Sequence, residues 1–252
     1  MKTENKHMDV NTLFDSEWYL YFYQNMLKPE KTEKEVEFLC NILQAKPGDK
    51  LLDIPCGHGR HAVGLAQKGL KVTGYDLCEG FLKVAEKSAA KANTSLDLVH
   101  GDMRELDFNS RFDFAIQLFT AFGYFDDDTN LDVLKRIRRA LKPGGRFCID
   151  FINRDIFLKH FLPSIVHKIG DDLMIDRSKF DIITGRNTTE RIMIKDGERR
   201  ETTFSIRFVN YNEMERMLQE AGFRILNQFG GWDENKPVDS NAFRIVIVAE
   251  AV

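Results

Sequence analysis

The sequence contains no long apolar run. Nowhere among its 252 residues is there the stretch of roughly 20 apolar residues that a membrane span needs. It has only four cysteines, Cys40, Cys56, Cys78 and Cys148, and none lies at metal-ligand spacing from another. That argues against a zinc knuckle or a disulfide scaffold, and Cys40 and Cys148, inside apolar runs, read as buried thiols. There is no basic excess: the formal net charge is -3, so nothing in the balance calls for a nucleic-acid backbone. Residues 1–10 are polar and lack the apolar segment of a signal peptide, so the expected address is the reducing cytoplasm. Internal repeats and low-complexity tracts are also missing.

What is present suits a packed α/β domain. Apolar residues make up 43% of the chain and charged residues 30%. An aromatic-rich segment (Phe14, Trp18, Tyr19, Tyr21, Phe22, Tyr23) comes first. The pattern Thr32-Glu33-Lys34-Glu35 then resembles a capping box opening a helix, which Pro47-Gly48-Asp49 ends. Strands and helices alternate after it. Strands are predicted at 50–54, 70–75, 96–100, 112–119 and 146–152, with helices from near His58, over 79–92 and over 128–141. Such alternation implies a parallel sheet covered on both faces. Residues 165–208 alternate apolar and polar instead, and Asp196-Gly197 is a hairpin signal, so an antiparallel insertion of three or four strands is expected there. A helix over 211–221 and strands over 223–230 and 243–249 close the chain.

The chemistry concentrates where the first strand meets its helix: Leu51-Leu52-Asp53-Ile54-Pro55-Cys56-Gly57-His58-Gly59-Arg60-His61-Ala62. Glycines let the backbone approach a ligand, and the helix N-terminus offers free N–H groups to an anion. Gly57-x-Gly59-x-x-Ala62 alone also satisfies a dinucleotide fingerprint, or merely a structural turn. Asp53 is the first discriminator: dinucleotide folds usually keep that approach apolar, whereas an ammonium group would welcome the carboxylate. Asp76, ending the second strand, can accept both hydroxyls of a ribose. In Gly101-Asp102-Met103 the acid can accept from an adenine amino group while the methionine packs on the ring. Leu141-Lys142-Pro143-Gly144-Gly145 precedes the fifth strand.

This ordered set resembles the class I S-adenosylmethionine-dependent methyltransferases over roughly residues 36–151. It is similar in particular to bacterial small-molecule methyltransferases with a β insertion after the fifth strand, aminosugar N-methyltransferases among them. The resemblance implies a doubly wound, Rossmann-like seven-stranded sheet with an antiparallel last strand, in one domain over 1–252. It implies S-adenosyl-L-methionine as cofactor, with the glycine-loop motif falling on Asp53, Pro55, Gly57 and Gly59. The ribose acid falls on Asp76, with Leu77 beside it, the adenine pair on Asp102 and Met103, and the methionine contact on Leu118. Pro55 departs from the family, which commonly has glycine there. Residues 1–29 would form an N-terminal lid, with Tyr19 or Tyr23 reaching the cofactor, and 164–209 a lid or dimer surface.

Other residues keep two readings. Phe14 and Phe22 read as core. Phe119 and Tyr124, after the fourth strand, are placed where an acceptor binds; a core tyrosine is the alternative for Tyr124. Asp126-Asp127-Asp128 reads as a helix cap. His58 and His61 lack further ligands at suitable spacing and read as first-turn helix residues, so no metal is expected. No Asn/Asp-Pro-Pro-Tyr segment of the base-methylating kind follows the fourth strand. The expectation is therefore transfer of a methyl group to an oxygen or nitrogen of a small molecule, by a monomer or homodimer, with no nucleic acid or membrane as partner. No catalytic base is identified. A nicotinamide-dependent oxidoreductase and a non-catalytic S-adenosylmethionine-binding module are the alternatives.

Overall fold

A computed structural model describes residues 9–252; residues 1–8 of the expected lid lie outside the described residues. Seven strands form the main sheet: β1 (Lys50–Asp53), β2 (Lys71–Asp76), β3 (Asp97–His100), β4 (Phe112–Gln117), β5 (Leu141–Ile152), β10 (Phe223–Phe229) and β11 (Arg244–Ala251). Their order is β10-β11-β5-β4-β1-β2-β3. β1 to β5 are parallel, and β11 runs antiparallel to both β5 and β10. The chain steps outward from β1 to β2 and β3, then returns to the other side of β1 as β4. The switch point thus falls between β1 and β4, where open α/β sheets bind ligands at the carboxyl ends of their strands.

Alternation along the strands feeds two cores. Leu52, Phe147, Ile149 and Ile247 face α6 (Asp127–Ala140) and α8 (Tyr211–Glu220), whose Leu134, Ile137, Met214 and Leu218 are fully buried. Leu51, Cys148, Val246 and Val248 face α3 (Pro29–Leu43) and α4 (Arg60–Gln67) through Leu39, Leu43 and Leu65. α5 (Glu79–Lys91) packs beside α4 and buries Phe81, Leu82, Ala85 and Ala89. Both faces are covered, as a parallel sheet requires.

The insertion is a four-stranded antiparallel sheet in chain order: β6 (Ser164–Ile169), β7 (Asp172–Asp181), β8 (Arg186–Lys195) and β9 (Glu198–Arg207). Asp196 and Gly197 turn it with φ of +52° and +81°, both left-handed as a tight hairpin demands. One face covers α2 (Ser16–Tyr23), burying Trp18 and Phe22 against Met174 and Met193. A short α1 (Val10–Leu13) precedes it, and α7 (Arg154–Lys159) leads from β5 into the insertion.

Several local expectations change. No capping box opens α3: Pro29 sits at its first position, where a fixed φ suits a helix start, and Thr32 and Glu35 lie inside it. Glu35 instead receives Arg60 and His61. β4 stops at Gln117 because Phe119 and Thr120 both take φ +62° and leave the sheet. β5 begins at Leu141, with Lys142–Gly145 accommodated as a register shift against β4. Cys40 is only partly buried, whereas Cys148 and Cys56 are fully so. Asp126 does cap α6, accepting from the Thr129 amide.

Gly123, in the loop between β4 and α6, packs against the end of β9 in the insertion. Its φ is +101°, and an added Cβ would lie 2.3 Å from the Arg207 carbonyl oxygen, whose residue donates its amide to the Gly123 carbonyl. Gly123→Ala is expected to destabilise the fold by about 1–3 kcal/mol, read as a drop in Tm by calorimetry. An unchanged Tm would contradict the close approach.

Candidate active site

The carboxyl ends of β1, β2, β3 and β4 open into a cavity of about 200 Å³. Its floor is the turn between β1 and α4. Ile54-Pro55 is a cis peptide bond, and Gly57 and Gly59 have φ of +53° and +78°. A Cβ on Gly59 would fall 2.6 Å from that of Ala85 in α5, so glycine is required for close packing, while one on Gly57 would meet nothing. Pro55 lines the cavity within this turn.

Two buried acids stand over this turn. Asp76 accepts from the Gly57 amide at 2.7 Å and the Cys78 amide at 2.8 Å. Burial raises its pKa, and these bonds work against the rise. Asp53 is 2% exposed. Burial first, and then repulsion from Asp76, push its carboxyl well above the usual range, against the pull of Arg60 and the Ala62 amide. The floor thus holds two buried acids whose ionised forms burial disfavours and a bound cation would stabilise.

At the next strand end, Tyr75 donates from its hydroxyl to the Asp102 carbonyl at 3.0 Å. That hydroxyl occupies the space a side chain on residue 101 would need, which explains Gly101. The Asp102 carboxylate accepts from Arg104 through its amide and side chain; burial pushes its pKa up, but the arginine outweighs this and lowers it. Met103 lines the cavity beside Asp102 and takes a contact from Gln117 at 3.8 Å. Leu77 sits exposed at the rim, and Leu118 is buried on the wall past β4.

The remaining wall is aromatic. Tyr19 is stacked on Tyr23, with centroids 4.4 Å apart, and meets Phe81 edge-on at 5.1 Å. Phe14 reaches Tyr124 at 5.9 Å, so Phe14, expected as core, stands on the cavity wall, whereas Phe22 packs in the core under the insertion. Burial raises the hydroxyl pKa of both Tyr19 and Tyr124. Tyr23 does not line the cavity: its hydroxyl accepts from Arg191 at 3.0 Å, behind Tyr19. Phe119 does line it, held in its left-handed conformation by donation from its amide to Asp150.

Three wall residues were not singled out as ligand contacts from sequence. Burial, with Arg60 and His61 nearby, lowers His58 to about 4, so it is neutral at physiological pH. His61 bonds Glu35 at 2.9 Å and stacks on Trp232. Arg60 joins the same Glu35, and a cation in a first helical turn, against the helix dipole, is the signal that could have flagged it.

A crevice at a topological switch point, floored by a glycine turn and acids from successive strand ends, defines the class of nucleoside-binding α/β folds. Comparison with known proteins narrows this. Residues 51–145 match the model of a methyltransferase domain. The demethylmenaquinone methyltransferase of Bacillus velezensis is 29% identical over 161 residues, covering 61% of this chain and 68% of that one. A solved S-adenosylmethionine-dependent methyltransferase from Clostridium acetobutylicum superposes with a TM-score of 0.80 at 19% identity, over 92% of this chain and 97% of the other. An amino pentose methyltransferase from Micromonospora echinaspora gives 0.66 at 18% identity, over 93% and 96%. At those identities the structures speak for the shared fold. The match assigns residues 51–145 to a methyltransferase domain, and the solved structures share its fold. Among the described residues no helix is long and apolar enough to cross a membrane.

The Asp53 shift has a measurable sign. Its folded-state pKa is raised, so its contribution to stability is present at acid pH and is lost as pH rises through that value. Asp53→Asn is expected to raise the Tm of the free protein at neutral pH and to flatten its decline from acid to neutral pH. Scanning calorimetry of both proteins checks this; parallel pH profiles would show that Asp53 titrates normally.

Proposed function

We propose that this enzyme transfers a methyl group to an oxygen or nitrogen of a small molecule, with the cofactor lying across the ends of β1 to β4. The observation that carries this reading is the pairing, in one cavity, of two buried acids, whose ionisation a bound cation would favour, with an aromatic wall under α2. A nucleoside bearing a cationic sulfur and an ammonium fits that chemistry: Asp53 for the ammonium, the Pro55–Gly59 turn and Leu118 for the methionine portion, Asp76 and Leu77 for the ribose, Asp102 and Met103 for the adenine. Bound there, S-adenosylmethionine supplies an activated methyl group, so the chain's own task is alignment and exclusion of water.

Each group has a distinct share of that task. Asp76 holds the turns after β1 and β2 in register and keeps acceptor capacity toward the cavity. Tyr19, ordered by Tyr23 and Phe81, faces positive charge with its ring. Phe119 and Tyr124 border the acceptor end. Neutral His58 takes no charge near a cationic ligand. Residues 9–29 and the 164–209 insertion act as cover within a single domain, and the mild negative charge favours a small acceptor over a nucleic acid. The same reading puts the enzyme in the cytoplasm as a monomer or homodimer.

Calorimetric titration with S-adenosylhomocysteine tests the cofactor assignment. Asp76→Ala is expected to weaken binding about ten- to a hundredfold, the range for losing charged hydrogen bonds. Unweakened binding in a folded variant would remove Asp76 from the site. Turnover across a panel of small amines and alcohols then separates enzyme from binding module: binding without any methylated product would favour the latter.

A further inference from the structure

We propose that Arg60 is the carboxylate receptor of this cavity, forming with Asp53 a two-pole site for an α-amino-acid group. The assignment rests on the cofactor placement above and adds a residue to it.

Arg60 opens α4 and its side chain is only 9% exposed. One terminal nitrogen, Nη1, is committed to Glu35 and to the Thr32 hydroxyl at 3.1 Å. The guanidinium lies over the Phe119 ring, 5.2 Å from its centroid. Its other terminal nitrogen, Nη2, is buried and has no partner among the described residues. A buried donor on a charged group is costly to leave unpaired, and Arg60 is a wall residue of the cavity, so the vacant donor belongs to a ligand. A guanidinium already anchored on one side and stacked on a ring is preoriented, and its planar nitrogens suit a carboxylate.

The neighbours decide the ligand's shape. Arg60 lowers the pKa of Asp53 and of His58, so its charge is felt at both. An uncompensated anion and an unsatisfied cation share one wall. An α-amino acid matches both, with its ammonium at Asp53 and its carboxylate at Arg60. The cofactor's own amino-acid end is the source this pairing favours; a carboxylate on the acceptor is the other.

The test is calorimetric titration of the full chain with S-adenosylhomocysteine and with its decarboxylated analogue, which keeps the ammonium. The wild type is expected to bind the parent about tenfold or more tightly than the analogue. Arg60→Lys, which keeps a cation against Glu35 but removes the second terminal nitrogen, is expected to lose that preference without losing affinity for the analogue. If the wild type shows no preference, benzoate is titrated into protein saturated with S-adenosylhomocysteine: binding by the wild type and not by Arg60→Lys assigns the carboxylate to the acceptor. Equal binding of both nucleosides with no benzoate binding overturns the proposal, and the wild-type arms decide this even if the variant does not fold. If neither nucleoside binds the wild type, the cofactor placement fails first and takes Arg60 with it.

Discussion

One carboxylate holds the crevice together. Asp76 receives amides from Gly57, in the turn after β1, and from Cys78, in the turn after β2, so two separate strand-to-helix connections close on a single side chain. The hold has an electrostatic consequence. The same burial that makes those bonds strong keeps Asp76 out of water, and its field falls on Asp53. Asp53 is thereby disfavoured in its ionised form, and a bound cation would offset that. The cavity is thus ordered before a ligand arrives, while its charge balance waits for a cation. That combination favours a cationic ligand over a neutral one of the same shape.

The cover over this site is built from outside the parallel sheet. α2 spans only Ser16–Tyr23, too short to be stable as an isolated helix. The insertion supplies what it lacks. Trp18 is buried beneath it with the Arg200 guanidinium 4.2 Å from its ring, Lys195 reaches Glu17 at 2.8 Å, and Arg200 reaches Asp15 at 3.2 Å. Deeper in, Arg191 is gripped by Asp176 through two bonds of 2.7 Å and passes its remaining donor to Tyr23. Tyr23 in turn stacks on Tyr19 at the cavity wall. The insertion therefore shapes the ligand site without touching it, through a relay of ion pair, hydroxyl and ring. Tyr23 accordingly belongs to the support and Tyr19 to the wall.

What the sequence made legible follows the same division. Asp53, Gly57, Gly59, Asp76, Asp102 and Met103 could be placed because strand end, glycine turn and helix start are local events whose spacing survives in the chain order. The hairpin at Asp196-Gly197 was legible for the same reason. Glu35 was misread because its helix position imitates a cap, whereas its partners Arg60 and His61 come from another helix. Arg60 was not placed on the cavity wall from sequence, since its partner Glu35 comes from another helix. The end of β4 was overrun because the apolar character of Leu118 and Phe119 hides a backbone reversal.

That reversal shows why the acceptor end is harder to read than the cofactor end. Phe119 and Thr120 adopt consecutive left-handed conformations that cost energy for non-glycine residues. They are held by Asp150, fully buried in β5, which accepts the Phe119 amide and pairs with Arg244 of β11; Arg244 also donates to the Thr120 hydroxyl at 3.0 Å. Removing Arg244 would leave the fully buried Asp150 without its counter-charge, so the conformation is enforced by the core. β11 is the last strand of the chain and lies between β5 and β10, antiparallel to both. Asp150, Arg244, Tyr19 and the insertion all lie outside the 51–145 segment that matches the methyltransferase domain. The floor of the cavity is thus set by a local motif at the ends of β1 and β2, whereas the wall at Phe119 is set by long-range packing across β5 and β11. The shape of that wall accordingly depends on residues that local motif reading does not reach.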